Sequence, residues 1–191
     1  MFPDIFKKKI ILGSASPRRK ELLSDLGFTF EIIPPNIVEN FDSSKLPGVI
    51  AESIALKKAE SFKKLKDEEI YLTCDTLVYC DGEVLNKPEH SVEAIEMLKL
   101  LSGKTHQVYS GVCLRSLKKT VLFHEVTHVT FKKLDEELIT YYIEKYRPFD
   151  KAGAYAIQEW IGYVGIEKIE GCYYNVVGLP LSKLWKALQE F

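Results

Sequence analysis

Ile70-Tyr71-Leu72-Thr73-Cys74-Asp75-Thr76-Leu77-Val78-Tyr79-Cys80 is an apolar run broken only by Thr73, Asp75 and Thr76. Asp81-Gly82 follows, a dipeptide suited to a two-residue hairpin, and Glu83-Val84-Leu85 returns the chain. A buried strand that folds back on itself requires antiparallel pairing. To either side, strand-like and helix-like segments mix. Lys9-Ile10-Ile11-Leu12 reads as a strand running into Gly13-Ser14-Ala15-Ser16-Pro17, where Ser16 as N-cap and Pro17 at the first helical position open a helix carrying Leu22, Leu23 and Leu26, stopped by Gly27. Phe28 to Ile33 reads as a strand, and the apolar spacing of Ile50, Ile54, Ala55, Ala59, Phe62 and Leu65 predicts a helix over 47–66.

Downstream, a helix is expected over Ser91 to Leu101. A second hairpin pairs His106–Leu114 with Val121–Phe131. A helix over Asp135 to Tyr146 should end before Pro148, Arg147 to Gln158 reads as loop, Ile166–Ile169 as a short strand, and the chain finishes in an amphipathic helix with Leu181, Leu184, Trp185 and Leu188. Hairpins among helices favour α/β with a mixed, largely antiparallel twisted sheet flanked by helices over a doubly wound fold. No repeat or linker interrupts the chain, so one domain over 1–191 is expected, with a central cleft among the loops near 13–19, 75 and 150–158.

Composition narrows the class. The chain has 191 residues, 46% hydrophobic and 28% charged, a globular mix. With 26 basic and 27 acidic side chains the net charge is −1, which argues against a bulk nucleic-acid binder. Any anion site must be local. The four cysteines show no two-residue spacing, so reduced thiols fit better than a zinc ribbon. Met1-Phe2-Pro3-Asp4 has no signal layout, and no uncharged stretch approaches the roughly 18 residues of a membrane helix, so a cytoplasmic protein off the membrane is expected.

Three local anomalies point to chemistry. A helix N-terminus is electropositive and prefers acids, yet Arg18, Arg19 and Lys20 occupy the first turn here. A bound phosphate would reverse the sign of each unfavourable term, with Ser14 and Ser16 as further donors and Gly13 letting the backbone approach closely. An ordinary capped surface helix with solvated arginines is the alternative. Second, Asp75 lies in an apolar strand, where a carboxylate needs a cation, a metal or several donors. Lys58, beside the buried face of its helix, and Lys87, fixed before Pro88, are both candidates, and structural salt bridging is the plainer account. Third, Asp150-Lys151-Ala152-Gly153-Ala154-Tyr155-Ala156-Ile157-Gln158 sets opposite charges beside small residues that can approach a ligand; an ordinary surface loop is the alternative. His124-Glu125-Val126-Thr127-His128 matches a zinc-protease pattern, but its flanks favour a strand, where positions four apart stand roughly 13 Å from each other, too far to share an ion.

Taken together, Ser14-Ala15-Ser16-Pro17-Arg18-Arg19, Glu39, Lys58-Ala59, Cys74-Asp75-Thr76-Leu77-Val78, Asn86-Lys87-Pro88, Ser102-Gly103 through His106 and Val108, the Asp150–Tyr155 loop and Val177-Gly178-Leu179-Pro180-Leu181 resemble the Maf family of nucleoside triphosphate pyrophosphatases, over nearly the whole chain. The resemblance implies a Maf/inosine-triphosphatase-like fold and hydrolysis at the α-phosphorus to the monophosphate and pyrophosphate, with Mg²⁺ or Mn²⁺. Ser14, Arg18, Arg19, Lys58 and Lys87 are implied at the triphosphate, with Asp150 and Lys151 also at substrate. Asp75 is implied as the proton acceptor, Glu39 with Asp75 at the metal, and Gln158 and Thr76 at the base. The loop ending in Ile157-Gln158 is similar to the branch acting on dTTP and UTP, with modified pyrimidine nucleotides as further candidates. A homodimer is consistent with the family, and a non-catalytic nucleotide-binding regulator of cell division is the alternative function. Two departures stand out: Glu159-Trp160 where the family more often has glycine, and Cys74 in place of a small residue.

Overall fold

A computed structural model describes residues 6–191; the Met1–Asp4 stretch read above for a signal lies outside them. The elements run β1 (Lys9–Gly13), α1 (Pro17–Asp25), β2 (Phe30–Ile32), α2 (Pro47–Glu60), β3 (Glu69–Cys80), β4 (Glu83–Leu85), α3 (Ser91–Leu101), β5 (Thr105–Arg115), β6 (Thr120–Phe131), α4 (Glu136–Tyr146), α5 (Trp160–Gly165), β7 (Ile166–Glu170), α6 (Tyr173–Val177) and α7 (Leu181–Gln189). The sheet has seven strands in the order β2-β1-β3-β5-β6-β7, with β4 on β3. It is mixed: β1 runs parallel to β2 and β3, whereas β3/β4 and β6/β7 are antiparallel. The fold is therefore the expected mixed α/β sheet flanked by helices.

Two compact units divide the chain. Of the described residues, one comprises 6–75, 110–125 and 178–191; the other comprises 76–109 and 126–177. In the first unit, Ile10, Ile11 and Leu12 of β1 are all essentially inaccessible, as expected of a parallel strand covered on both faces. α2 lies so close to β5 that a Cβ on Gly111 would stand 2.2 Å from the carbonyl carbon of Ala51. Gly13 has a packing reason rather than a ligand one: in register with Thr73, its hypothetical Cβ would come within 2.6 Å of Thr73 Cγ2 and 3.0 Å of the Phe62 ring.

In the second unit, Leu98, Leu101, Val129, Phe131, Ile139, Tyr142 and Ile161 form a continuous apolar core. The turn at Asp81 (φ 49°) and Gly82 (φ 91°) has both central residues left-handed, the geometry that matches the twist of a two-residue hairpin.

Some boundaries differ from expectation. α2 stops at Glu60 rather than 66, because Phe62 leaves the helix to pack its ring, tilted by 42°, 4.9 Å from that of Tyr71 and to fill the space above Gly13. β2 covers only 30–32 of the expected 28–33. The short helices α5 and α6 had no periodic signal, since each is too brief to show one. The His124–His128 segment is strand, as read: His124 Nδ1 pairs with Glu52 Oε1 at 2.8 Å and His128 Nε2 with Gln107 Nε2 at 3.0 Å.

Candidate active site

In the first unit, α1 begins as its residues dictate. Ser16 is extended (φ −66°, ψ 119°), its hydroxyl accepts the Arg19 N–H, and Pro17 occupies the first turn, which holds no acid. Ser14 is buried, and its Oγ accepts twice, from the Ser16 N–H at 3.2 Å and from Arg19 Nη1 at 3.3 Å. With both lone pairs engaged, the hydroxyl proton remains to be donated. Arg19 Nε donates to the Gly178 carbonyl at 2.9 Å, and the Cys74 thiol donates to the same oxygen at 3.4 Å. One carbonyl therefore joins the basic first turn of α1 to the residue preceding Asp75.

Asp75 is 8% exposed, and Lys58 from α2 is 6% exposed. Lys58 Nζ donates to Asp75 Oδ1 at 2.7 Å and stands 2.8 Å from Glu39 Oε1. Lys58 is thus the cation that the buried carboxylate required. Its helix delivers it there because the Thr73 hydroxyl, on the neighbouring strand, donates to the Ala55 carbonyl at 2.7 Å and pins α2 to β3. The two carboxylates share one ammonium, and Glu39 keeps a side chain 45% exposed. Both offer hard oxygen donors of the kind Mg²⁺ and Mn²⁺ take. Among the described residues no group of three His, Cys, Asp or Glu side chains gathers that could hold a metal ion.

The second unit holds the remaining candidates. Thr76 is half-buried, and Lys87 is exposed on the segment after β4. Lys151 is 8% exposed, and its Nζ bonds Asp150 Oδ1 at 2.7 Å and pairs with Glu159 Oε1 at 3.2 Å. Glu159 in turn accepts from the Tyr142 hydroxyl at 2.7 Å, and Tyr142 Oη accepts the Ala156 N–H at 3.3 Å. Burial, then the bond to Glu159, push the Tyr142 phenol well above its usual value, so it stays a donor. The departure Glu159 is thus part of the lock on the Asp150–Gln158 loop, which makes one 3₁₀ turn over Ala152–Ala154. Gly153 there is left-handed (φ 68°), donates to the Asn86 carbonyl at 3.1 Å, and faces Val78 so closely that a Cβ would stand 3.0 Å from it. Gln158 presents a buried Oε1 with no hydrogen-bond partner. Beneath the loop, the Tyr155 hydroxyl meets His106 Nε2 at 2.7 Å, and burial lowers the His106 pKa to about 4.

Glu39, Lys58, Asp75, Ser14 and Arg19 are therefore gathered in one unit, with Arg18 on the same first turn. Asp150, Lys151 and Gln158 share one loop in the other. Sequence reasoning missed the Gly178 carbonyl, a backbone group that no side-chain pattern reveals. It also missed the tie from Glu159 to Tyr142, which lies 17 residues away in sequence.

The family model described as Maf-like protein matches residues 9–191. A Porphyromonas gingivalis protein named dTTP/UTP pyrophosphatase is 46% identical over 195 residues, covering 100% of this chain and 98% of its own. A Bacteroides thetaiotaomicron protein of the same name is 44% identical over 192 residues, covering both chains fully. Among solved structures, a HAM1 protein from Coxiella burnetii aligns with a TM-score of 0.45 at 18% identity, over 65% of this chain and 73% of that one.

Proposed function

The chain belongs to the Maf-like protein family, and from that premise we propose that it hydrolyses dTTP and UTP to the monophosphate and pyrophosphate, with modified pyrimidine triphosphates as further substrates. The relatives named dTTP/UTP pyrophosphatase support the reaction. The observation that best supports this reading is the Gly178 carbonyl, which accepts both from Arg19 and from Cys74, the residue before Asp75. Cations that bind phosphate and a carboxylate that handles a proton must lie at one site for the reaction to run.

The residues divide the work. Arg18, Arg19 and the free proton of Ser14 bind phosphate oxygens at the first turn of α1, where the unpaired amides add their own partial charge. Lys58 fixes Asp75 through Oδ1, leaving Oδ2 to receive the proton of the attacking water. Glu39 and Asp75 would hold Mg²⁺ or Mn²⁺, which when bound neutralises and polarises the phosphate under attack. Lys87 meets the departing phosphates, and Asp150 and Lys151 shape the substrate loop. A buried amide oxygen without a partner suits a base that presents an N–H, as uracil and thymine do at N3, so Gln158, together with Thr76, is assigned to the base. Residues 1–191 act as one functional domain, a reading that the single family match over 9–191 supports. No helix among the described residues is long and apolar enough to cross a membrane, and the four cysteines are free thiols; both suit the cytoplasm, where thiols stay reduced.

The test is pyrophosphate release from dTTP, UTP and modified pyrimidine triphosphates, with and without Mg²⁺. Asp75→Asn should retain its fold by circular dichroism and lose turnover by about 10²–10⁴-fold, the worth of a positioned proton acceptor. Full activity in that variant removes Asp75 from the reaction. Nucleotide binding without pyrophosphate release from any triphosphate would instead make the protein a binder.

A further inference from the structure

The turn between β5 and β6 and the segment that follows α2 line a cavity of about 560 Å³ in the first unit. Lys63, Lys64, Arg115, Lys118 and Lys119 all line it, and no acidic residue is among its lining residues. A chain whose charges nearly cancel overall has here gathered five cations around one hollow, where like charges repel one another. The cluster is also anchored. Arg115 Nη1 donates to the Ala59 carbonyl at 2.8 Å, and Lys119 Nζ donates to the Glu190 carbonyl at 2.6 Å. The turn is braced by Ser116, whose Oγ accepts the N–H groups of Lys118 at 3.3 Å and Lys119 at 3.1 Å. Lys8 stands close enough that burial, and then the charge of Lys119, lower its pKa.

We propose that this cavity is a second anion site that binds an oligophosphate chain, free or carried by a nucleotide, and that shares no residue with the Arg19–Asp75 site. Such a chain packs several negative charges into a small volume, which suits a hollow lined by five cationic residues and no acid. Arg115 keeps further N–H donors after its carbonyl bond, enough for a forked contact with phosphate oxygens. The cavity has the size of a small-molecule site rather than the extended basic face that follows a nucleic-acid backbone.

The experiment is calorimetric titration of the full-length Asp75→Asn protein with inorganic tripolyphosphate, alone and with the exposed pair K64E/K118E added. Two binding events per chain are expected in Asp75→Asn. The second should weaken at least about tenfold on charge reversal, the equivalent of one charge-assisted hydrogen bond. Competition with UTP separates the two ligand sources: tighter displacement than by tripolyphosphate assigns the cavity to a nucleotide, and weaker displacement assigns it to the free chain. Pyrophosphate release by K64E/K118E with native Asp75 reports on the other site alone and should be unchanged, so failure there is distinguishable from failure here. The absence of any binding event that weakens on charge reversal overturns the proposal, whereas a single event that does weaken speaks against the Arg19–Asp75 site and not against this one.

Discussion

Replacing Lys58 by methionine tests the centre of the site. Its ammonium lies 2.7 Å from Asp75 Oδ1 and 2.8 Å from Glu39 Oε1. The two arms differ in weight. The Asp75 side chain is 11% exposed and that of Lys58 is 8%, whereas the Glu39 side chain is 45% exposed and screened by solvent. At an effective dielectric of about 20 the buried arm is worth about 6 kcal/mol of Coulomb attraction before the desolvation of both groups is subtracted. Deleting one partner of such a pair leaves the other buried and uncompensated, at about 3–5 kcal/mol. The exposed arm adds less than about 1 kcal/mol. Lys58→Met should therefore lower the unfolding free energy by about 3–4 kcal/mol in urea at pH 7. In the double variant Lys58→Met/Asp75→Asn the uncompensated charge is gone, and at least about 2 kcal/mol should return. An unchanged midpoint in Lys58→Met, or a double variant as unstable as the sum of the two singles, would refute the coupling.

Three further outcomes follow from the same geometry. His106 is held neutral by burial, with its pKa lowered from 6.5 to about 4, so below pH 6.5 the unfolded chain takes up a proton that the folded one refuses. Stability should fall as pH falls through that window, by about 1.5 kcal/mol between pH 6.5 and 5, and His106→Gln should flatten that slope in urea titrations. Gly111→Ala drives a Cβ to 2.2 Å from the Ala51 backbone, which cannot give way as a side chain can; soluble expression should collapse, or the unfolding free energy should drop by more than about 3 kcal/mol. Glu159→Gly removes the acceptor of the Tyr142 hydroxyl and one partner of the buried Lys151; a loss of about 2–3 kcal/mol is expected, with faster amide exchange confined to the Asp150–Gln158 loop.

Much of the candidate site was legible because its residues violate local rules. Arginines at a helix N-terminus and an aspartate in a greasy strand each announce an unmet electrostatic need, and helical spacing alone placed Lys58 where it could answer Asp75. Spacing could not choose between Lys58 and Lys87, since that depends on which element packs against β3. The hairpin at Asp81-Gly82 was readable because only a few residue types accept its left-handed backbone. The end of α2 was not: Phe62 continues the helical period perfectly, and only the hollow above Gly13 draws it out of line. Glu159 was seen as an anomaly, but its role depends on Tyr142, and no local pattern links a loop acid to a helix phenol.

The tether between Arg19 and the Gly178 carbonyl has a consequence for affinity. An arginine free in solvent surrenders about 2 kcal/mol of rotamer entropy when a ligand immobilises it. Here that entropy is surrendered during folding, so in the proposed role of Arg19 the triphosphate would meet a guanidinium already held and lose little by stilling it. Cutting the tether while keeping the charge should therefore weaken capture of the nucleotide chiefly through entropy, with the enthalpy of contact almost intact.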